Sequence, residues 1–354
     1  MAMTTMTETS TAVTGGVDTH RDVHVAAVLD ARGGELGVRQ FPTTPAGYRQ
    51  LLEWLGSFGP VDRVGVEGTG TYGKALARHL TAAGVAVVEV DRPNRQDRRR
   101  VGKTDTTDAI AAARATQARK ATVVPKDADG PVEQLRVLRV VRQSVRRERV
   151  RVINQLRALI VTAPDELRAD LSGRAAVGLC QHVAKYRVAD PTTPTGTIKY
   201  ALRSLGRRAE TLRSEAKTLD TMIRGLVEDI APELLDQPNV GPDTASALLV
   251  AAGDNPERLH SEAAFARLCA AAPLDASSGL QQRHRLSRSG NRQANAALYR
   301  IIIGRMKHDP ATRAYIARRR QDGKTKAEAI RCLKRFVARQ LYPLIVTPKH
   351  HLTN

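Results

Sequence analysis

Apolar residues in the first third of the chain fall into short runs separated by turn signals. Val17 opens a short strand ending at Asp18, His24 to Leu29 makes a second, and Gly37 to Phe41 makes a third. Arg32-Gly33-Gly34 marks the turn between the last two, which predicts a hairpin ribbon. Thr44-Pro45 reads as an N-cap followed by proline at the first helical position, ahead of a helix carrying Tyr48, Leu51, Leu52, Trp54 and Leu55. Asp62 to Glu67 and Val85 to Val90 read as buried strands. Helices follow them, from about Tyr72 to Ala83 and from about Thr106 to Ala118. Three antiparallel strands and then alternating helices and strands predict a mixed sheet flanked by helices.

That element order is the one expected of the ribonuclease-H-like fold, so the predicted class is α/β followed by α. From Val132 to Ile160 a long helical stretch repeats apolar residues at Leu135, Leu138, Val141, Val145, Val152, Leu156 and Leu159, with eight Arg and one Glu between Arg136 and Arg157. After a Pro/Thr/Gly-rich break at Asp190 to Gly196, Leu205, Ala209, Leu212, Ala216, Leu219, Ile223, Leu226 and Ile230 recur at alternating spacings of four and three. That spacing predicts a coiled-coil seam, either in a projecting antiparallel hairpin or dimerising coil, or in two core helices of one bundle. Beyond Ala231 the chain is helical and Arg-rich. Pro238-Asn-Val-Gly-Pro242 between two short helices predicts a helix-hairpin-helix, whose Gly241 lets backbone approach a phosphate at a helix N-terminus. The expected organisation is a disordered tail over 1–14, a catalytic domain over 15–128, a helical coiled-coil region over 129–230 and a C-terminal domain over 231–354.

Charge changes the picture. Of the 354 residues, 56 are Lys or Arg against 36 Asp or Glu, a net of +20, and 44 of the basic residues are Arg. Residues 1–130 carry a net of only +2 and residues 131–354 a net of +18. Arg suits bidentate phosphate contacts, so this balance argues against an ordinary metabolic enzyme and for a polyanion partner. Cys180, Cys269 and Cys332 lie far apart and read as reduced thiols of a cytoplasmic protein. No apolar run approaches ~18 residues, so no membrane span is expected, and the Thr-rich start lacks the features of a signal peptide.

Four acids in the N-terminal part carry the candidate chemistry. Asp18 ends the first strand, Glu67 ends the fourth, and Asp105 and Asp108 stand three apart at a helix start. Strand ends in such sheets share one crevice, and the three-residue spacing puts the last two on one helix face. Four converging carboxylates call for divalent cations, and oxygen ligands select Mg²⁺ or Mn²⁺. Taken singly, each has a plainer reading: Asp105 as an N-cap, Glu67 as a polar strand end, Asp18 as a turn residue. His20 and His24 read as structural or solvent-facing.

The second constellation is Ser277-Ser278-Gly279 followed by Arg283, His284, Arg285, Arg288 and Arg292. A serine among guanidinium groups could attack a phosphate, although Ser-Ser-Gly alone is also an ordinary loop. Between Ala276 and Arg339 there are 17 basic and 3 acidic residues, which favours phosphate contact.

The acids in Gly16-Val-Asp-Thr-His20, Val66-Glu-Gly-Thr-Gly-Thr-Tyr72 and Lys103-Thr-Asp-Thr-Thr-Asp-Ala109 resemble those of the DEDD transposases of insertion-sequence family 110. The run from Asn239 to Leu249, Ala263 to Pro273, Ser277-Ser-Gly279 and Arg285 to Arg292 resembles that family's second domain, in the same order. The acids alone would also fit RuvC-type junction resolvases; the second block would not. Turns of this family often begin Pro-Gly, and here Asn239 replaces that Gly.

The resemblance implies a site-specific DNA recombinase of a bacterial insertion element. Its RuvC-like domain supplies the metal-binding acids Asp18, Glu67, Asp105 and Asp108, and its second domain supplies a nucleophilic serine that maps onto Ser278 and forms a 5′-phosphoserine link. It further implies donor and target DNA, an element-encoded noncoding RNA, and a homo-oligomer from dimer to tetramer, in the cytoplasm near the nucleoid. Gly241, Arg283, Arg285, Arg288, Arg292, Arg146 and Arg147 are the expected nucleic-acid contacts. The alternatives are a metal-only junction nuclease and a non-catalytic nucleic-acid-binding protein.

Overall fold

The computed structural model describes residues 12–90, 104–275, 284–285 and 290–347, and the chain divides into two compact units, residues 1–127 and 128–354. In the first unit, β1 (Val13–Thr19), β2 (Val23–Leu29) and β3 (Glu35–Pro42) form an antiparallel meander. β4 (Val61–Glu67) and β5 (Ala86–Val90) add in parallel on the other side of β1, for an order β3-β2-β1-β4-β5. This is the predicted mixed sheet, consistent with a ribonuclease-H-like domain. β1 begins at Val13, inside the stretch expected to be tail, because Val13 is buried and its N–H donates to the Pro60 carbonyl at 2.9 Å.

α1 (Pro45–Gly56) and α2 (Lys74–Ala82) cover one sheet face, where Val17, Val28, Leu51, Leu55, Val64 and Leu80 form the core. Thr44 caps α1 as expected, its hydroxyl accepting from Gly47 N–H at 3.1 Å. α3 (Asp105–Gln117) covers the opposite face. It lies directly on Gly16 and Gly65, which are register partners on β1 and β4. A Cβ at Gly16 would overlap the backbone of Ala113, and one at Gly65 the Thr116 hydroxyl. These two positions lack side chains because α3 occupies the space, with its backbone at Gly16 and with the Thr116 hydroxyl at Gly65.

The second unit is helical apart from a two-stranded piece. α4 (Pro131–Val161) and α7 (Pro194–Ile230) run antiparallel, as the ion pairs Arg142–Asp220 and Arg208–Glu148 require. α5 (Asp165–Leu171) and α6 (Ala176–Ala184) connect them, and α6 packs on α7 at Gly206, where a Cβ would meet the Cys180 carbonyl. Of the expected seam, Ala209, Leu212, Leu219 and Ile223 are buried, joined by Leu202, Gly206 and Val227. Leu205, Ala216, Leu226 and Ile230 are only partly buried. The buried part of the seam packs on α4 and α6 and, at Ile223 and Val227, in the core of the C-terminal helices, so its buried face is wider than a two-helix stripe.

A 3₁₀ turn (Pro232–Leu234) leads to α8 (Pro242–Ala252), a second 3₁₀ turn (Pro256–Arg258), α9 (Glu262–Leu268), β6 (Leu274–Asp275) and β7 (His284–Arg285). Then come α10 (Arg292–His308), α11 (Pro310–Gln321) and α12 (Lys326–Val346). Leu248, Phe265, Leu298, Ile301, Val337 and Leu341 lie in their shared core. The first of the two short helices expected around the hairpin turn is only that initial 3₁₀ turn: Pro232 and Pro238 bracket too few residues for an α-helical run. Asn239 sits at φ +61, the left-handed region where glycine is easiest and Asn is the common substitute. Its replacement of glycine therefore preserves the turn. Among the described residues, no helix is long and apolar enough to cross a membrane.

Candidate functional site

Strand alternation puts Gly16 and Asp18 on one face of β1. The β1–β4 register, Val17 opposite Val66, puts Gly65 and Glu67 on the same face of the neighbouring strand. Because α3 lies on the two glycines, its first turn arrives at the strand ends that carry Asp18 and Glu67. Thr104 caps this helix in a reciprocal box with Thr107. Asp105 is therefore not the N-cap, and it stands with Asp108 in the first turn, where the helix dipole favours negative charge.

Asp18, Glu67 and Asp108 are 6%, 8% and 6% exposed; Asp105 is half-exposed. Ligand atoms of Asp18, Asp105 and His20 all lie within 4.8 Å of one another. His20 Nε2 is 3.1 Å from Asp18 Oδ2 and 3.3 Å from Asp105 Oδ1. Burial raises the Asp18 carboxyl from its ordinary value; His20 pulls it back, and Asp108 and Asp105 push it up again. Glu67 and Asp108 stand outside the tight triangle, Glu67 on the adjacent strand end and Asp108 close enough to be felt by Asp18. Oxygen donors dominate the set, and buried like charges call for neutralisation, so these residues fit a hard divalent cation.

His20 corrects an expectation. It is not an ordinary surface residue but sits between two of the acids. β1 ends at Thr19, and the turn closed by His20 N–H to the Val23 carbonyl (3.2 Å) holds the imidazole at the strand end. His24 is buried and structural. It stacks on Tyr48 with ring centroids 5.7 Å apart, and burial, with His20 adding, lowers its imidazole to about 4.

The second unit holds a different cluster. Asp243, in the first turn of α8, accepts from Arg142 Nη1 at 2.6 Å, from Arg139 Nη1 at 3.2 Å and from Arg300. Arg139 Nη1 also donates to the Asp243 carbonyl and to Ser246 Oγ, both at 2.6 Å. Arg142 continues to Asp220. Burial pushes the Asp243 carboxyl up, but Arg300, Arg142 and Arg139 outweigh it and hold it below its ordinary value. Arg139 and Arg142 belong to the Arg-rich stretch between Arg136 and Arg157, yet they are 4% and 6% exposed, while Val141 of the expected apolar stripe faces solvent. The acceptors on α7 and α8 make those two burials possible.

Of the expected nucleic-acid contacts, Arg146, Arg147, Arg285 and Arg292 are exposed, and Arg146 lies 3.7 Å from Asp220. Gly241 is the N-cap of α8, with open space where a Cβ would point. Ser277, Ser278, Arg283 and Arg288 lie outside the described residues.

A five-stranded mixed sheet with Asp18 and Asp105 brought together at its strand ends, followed by a helical Arg-rich unit, is consistent with a ribonuclease-H-like DEDD domain. The family models agree. One for DEDD transposases of the IS110 type, described as "Transposase", matches residues 15–163. A second, described as "Transposase IS116/IS110/IS902 family", matches residues 231–317. Together they cover about two thirds of the chain, and the chain belongs to the IS110 family of transposases. Among curated proteins it is similar to the "Insertion element IS110 uncharacterized 43.6 kDa protein" of Streptomyces coelicolor, 33% identical over 144 residues. That alignment takes in 40% of this chain and 35% of the relative, so the match spans about a third of the relative's length.

Proposed function

We propose that this chain is a site-specific DNA recombinase that moves an insertion element, working in the bacterial cytoplasm on nucleoid DNA. The observation that carries the reading is the convergence of Asp18 and Asp105, with His20 between them, beside the buried Asp108. Asp18, Glu67, Asp105 and Asp108 would hold Mg²⁺ or Mn²⁺. A divalent cation there supplies Lewis-acid polarisation of a phosphate and charge stabilisation in its displacement.

Ser278 is the nucleophile in this reading. Its hydroxyl oxygen bonds to phosphorus as the bond to the 3′ oxygen breaks. The hydroxyl proton ends on the released 3′-hydroxyl, leaving a 5′-phosphoserine. Attack by a different 3′-hydroxyl reverses the step and joins new ends, so no external energy source is needed. An element-encoded noncoding RNA would pair with donor and target DNA and select the sites. The exposed Arg146, Arg147, Arg285 and Arg292, with Gly241 and with Arg283 and Arg288 of the same basic run, would hold phosphates. Dimers to tetramers would let the serine of one copy meet the acids of another.

The test is to trap the protein–DNA adduct and map the linked residue by mass spectrometry. Linkage at Ser278, lost in Ser278→Ala, is the expected result. Strand cleavage that persists in Ser278→Ala with no adduct would make the chain a metal-only nuclease instead. Mixing Ser278→Ala and Asp105→Asn chains should restore part of the activity if the site is shared between copies. Full recombination by nuclease-treated protein without RNA would remove the guide.

A further inference from the structure

The turn after β1 brings a ring nitrogen to the acids and fixes it there. His20 N–H donates to the Val23 carbonyl at 3.2 Å, and Thr43 Oγ1 donates to the His20 carbonyl at 3.4 Å. Thr19 Oγ1 donates to the Glu67 carbonyl at 2.8 Å, which ties the end of β1 to the end of β4. The imidazole is therefore placed by the same piece of backbone that places Asp18 and Glu67.

Two observations set this imidazole apart from a simple ion-pair partner. First, His20 Nε2 lies 3.1 Å from Asp18 Oδ2 and 3.3 Å from Asp105 Oδ1, yet it is a buried nitrogen with no hydrogen-bond partner among the described residues. The atoms are close, but neither contact has the alignment of a hydrogen bond. Neighbouring ligands on one octahedral cation, bound at ~2.1–2.2 Å, stand roughly 3.0–3.1 Å apart, with their lone pairs meeting at the ion and not at each other. The observed spacings are close to that edge. Second, among the described residues neither Asp18 nor Asp105 pairs with a Lys or Arg, in a chain of net charge +20. Burial of Nε2 does not shut an ion out. An ion bound at ~2.1 Å sits closer to its ligands than a water does, and the half-exposed side chains of His20 and Asp105 border the site.

We propose that His20 Nε2 is itself a ligand of the cation, alongside Asp18 and Asp105, and that the site thereby prefers Mn²⁺ to Mg²⁺. Mg²⁺ keeps to oxygen donors, whereas imidazole suits transition metals, and Mn²⁺ among them also suits carboxylates. The inference rests on the metal-dependent recombinase reading and adds to it a ligand outside the four acids. The His20 ring is 44% exposed on its side chain, so water can meet its other nitrogen.

The full chain would be stripped with chelator, loaded with stoichiometric Mn²⁺ and read by electron spin echo spectroscopy, which detects nitrogen bound to the ion. Imidazole nitrogen modulation is expected in the unaltered chain and in His24→Phe, and it should vanish in His20→Gln. Calorimetric titration should show Mn²⁺ bound more tightly than Mg²⁺. His20→Gln should lower the Mn²⁺ affinity at least about tenfold and the Mg²⁺ affinity less. Asp18→Asn should abolish both. Modulation that is absent from the Mn²⁺-loaded unaltered chain, or that persists in His20→Gln, overturns the proposal, and the first of these needs no variant to fold. If Mn²⁺ binding depends on Asp18 but carries no nitrogen signal, the acids hold the ion without His20 and the recombinase reading stands. If the nitrogen signal is present and the chain never cleaves DNA, the ligand stands and the recombinase reading fails. A chain that takes up no Mn²⁺ removes both.

Discussion

Asp18 and Asp243 are both aspartates drawn away from solvent, one in each unit, and their surroundings are opposite. Asp18 is pushed up by burial and by two neighbouring acids, with a histidine as the counterweight. Asp243 is held down by three arginines that overcome its burial. The chain neutralises the second acid itself, which makes Asp243 a structural fastener between α8, α4 and α10. It leaves the first poorly compensated, which is the state expected of an acid that works with an added cation. Burial alone therefore does not separate a structural acid from a functional one; the sign of its neighbours does.

The same substitution should act in opposite directions at the two acids. Asp18→Asn should reduce metal-dependent strand cleavage on the order of 10³-fold, the scale for losing a charge-stabilising active-site group. In chelator, its melting temperature should rise, because a repelled buried charge is gone. Added Mn²⁺ should raise the melting temperature of the unaltered chain and not of the variant. A fall in chelator would mean that the site needs no external cation. Asp243→Asn should instead destabilise by ~3–5 kcal/mol, since it leaves the buried Arg139 guanidinium without a carboxylate; chemical denaturation measures this.

Gly16→Ala comes next. It should cost ~1–3 kcal/mol by overpacking and should also blunt the Mn²⁺-induced shift, because α3 must lift off β1. Last is His24, a buried titratable group whose two ring nitrogens find no hydrogen-bond partner among the described residues. Its imidazole falls from 6.5 to about 4 in the fold, so the unfolded chain binds the proton more readily. Its contribution to stability is present above pH 6.5 and is lost as pH falls toward about 4. His24→Phe keeps the stack on Tyr48 and should flatten that part of the stability profile; an unchanged slope would assign it to other groups.

The strands and caps of the first unit were legible because their signals are local: Thr44-Pro45 for α1, and the run from Val85 to Val90 for β5. That Asp18, Glu67, Asp105 and Asp108 stand at element ends was legible because strand and helix boundaries carry local signals. His20, read as structural or solvent-facing, lies one residue beyond β1, and its approach to Asp18 and Asp105 depends on the turn it closes with Val23, which residue spacing does not fix. The arginines of α4 could not be sorted from sequence. Positions 135, 139, 142 and 145 share the buried face, but Arg139 and Arg142 enter it only because α7 and α8 bring Asp220, Asp243 and Ser246 to them. Similarly, the heptad pattern of α7 was plain, while the wider covering of its face by α6 depends on Gly206, which only the packed partner explains.

The two glycines under α3 have a consequence for sorting working copies of such elements from decayed ones. A copy with a methyl group at residue 16 would retain every acid, and would pass any inspection that counts them. Yet its helix would be propped off the sheet and its acids drawn out of reach of one another. In genome surveys, glycine at 16 and at 65 should accompany the acids in a live element.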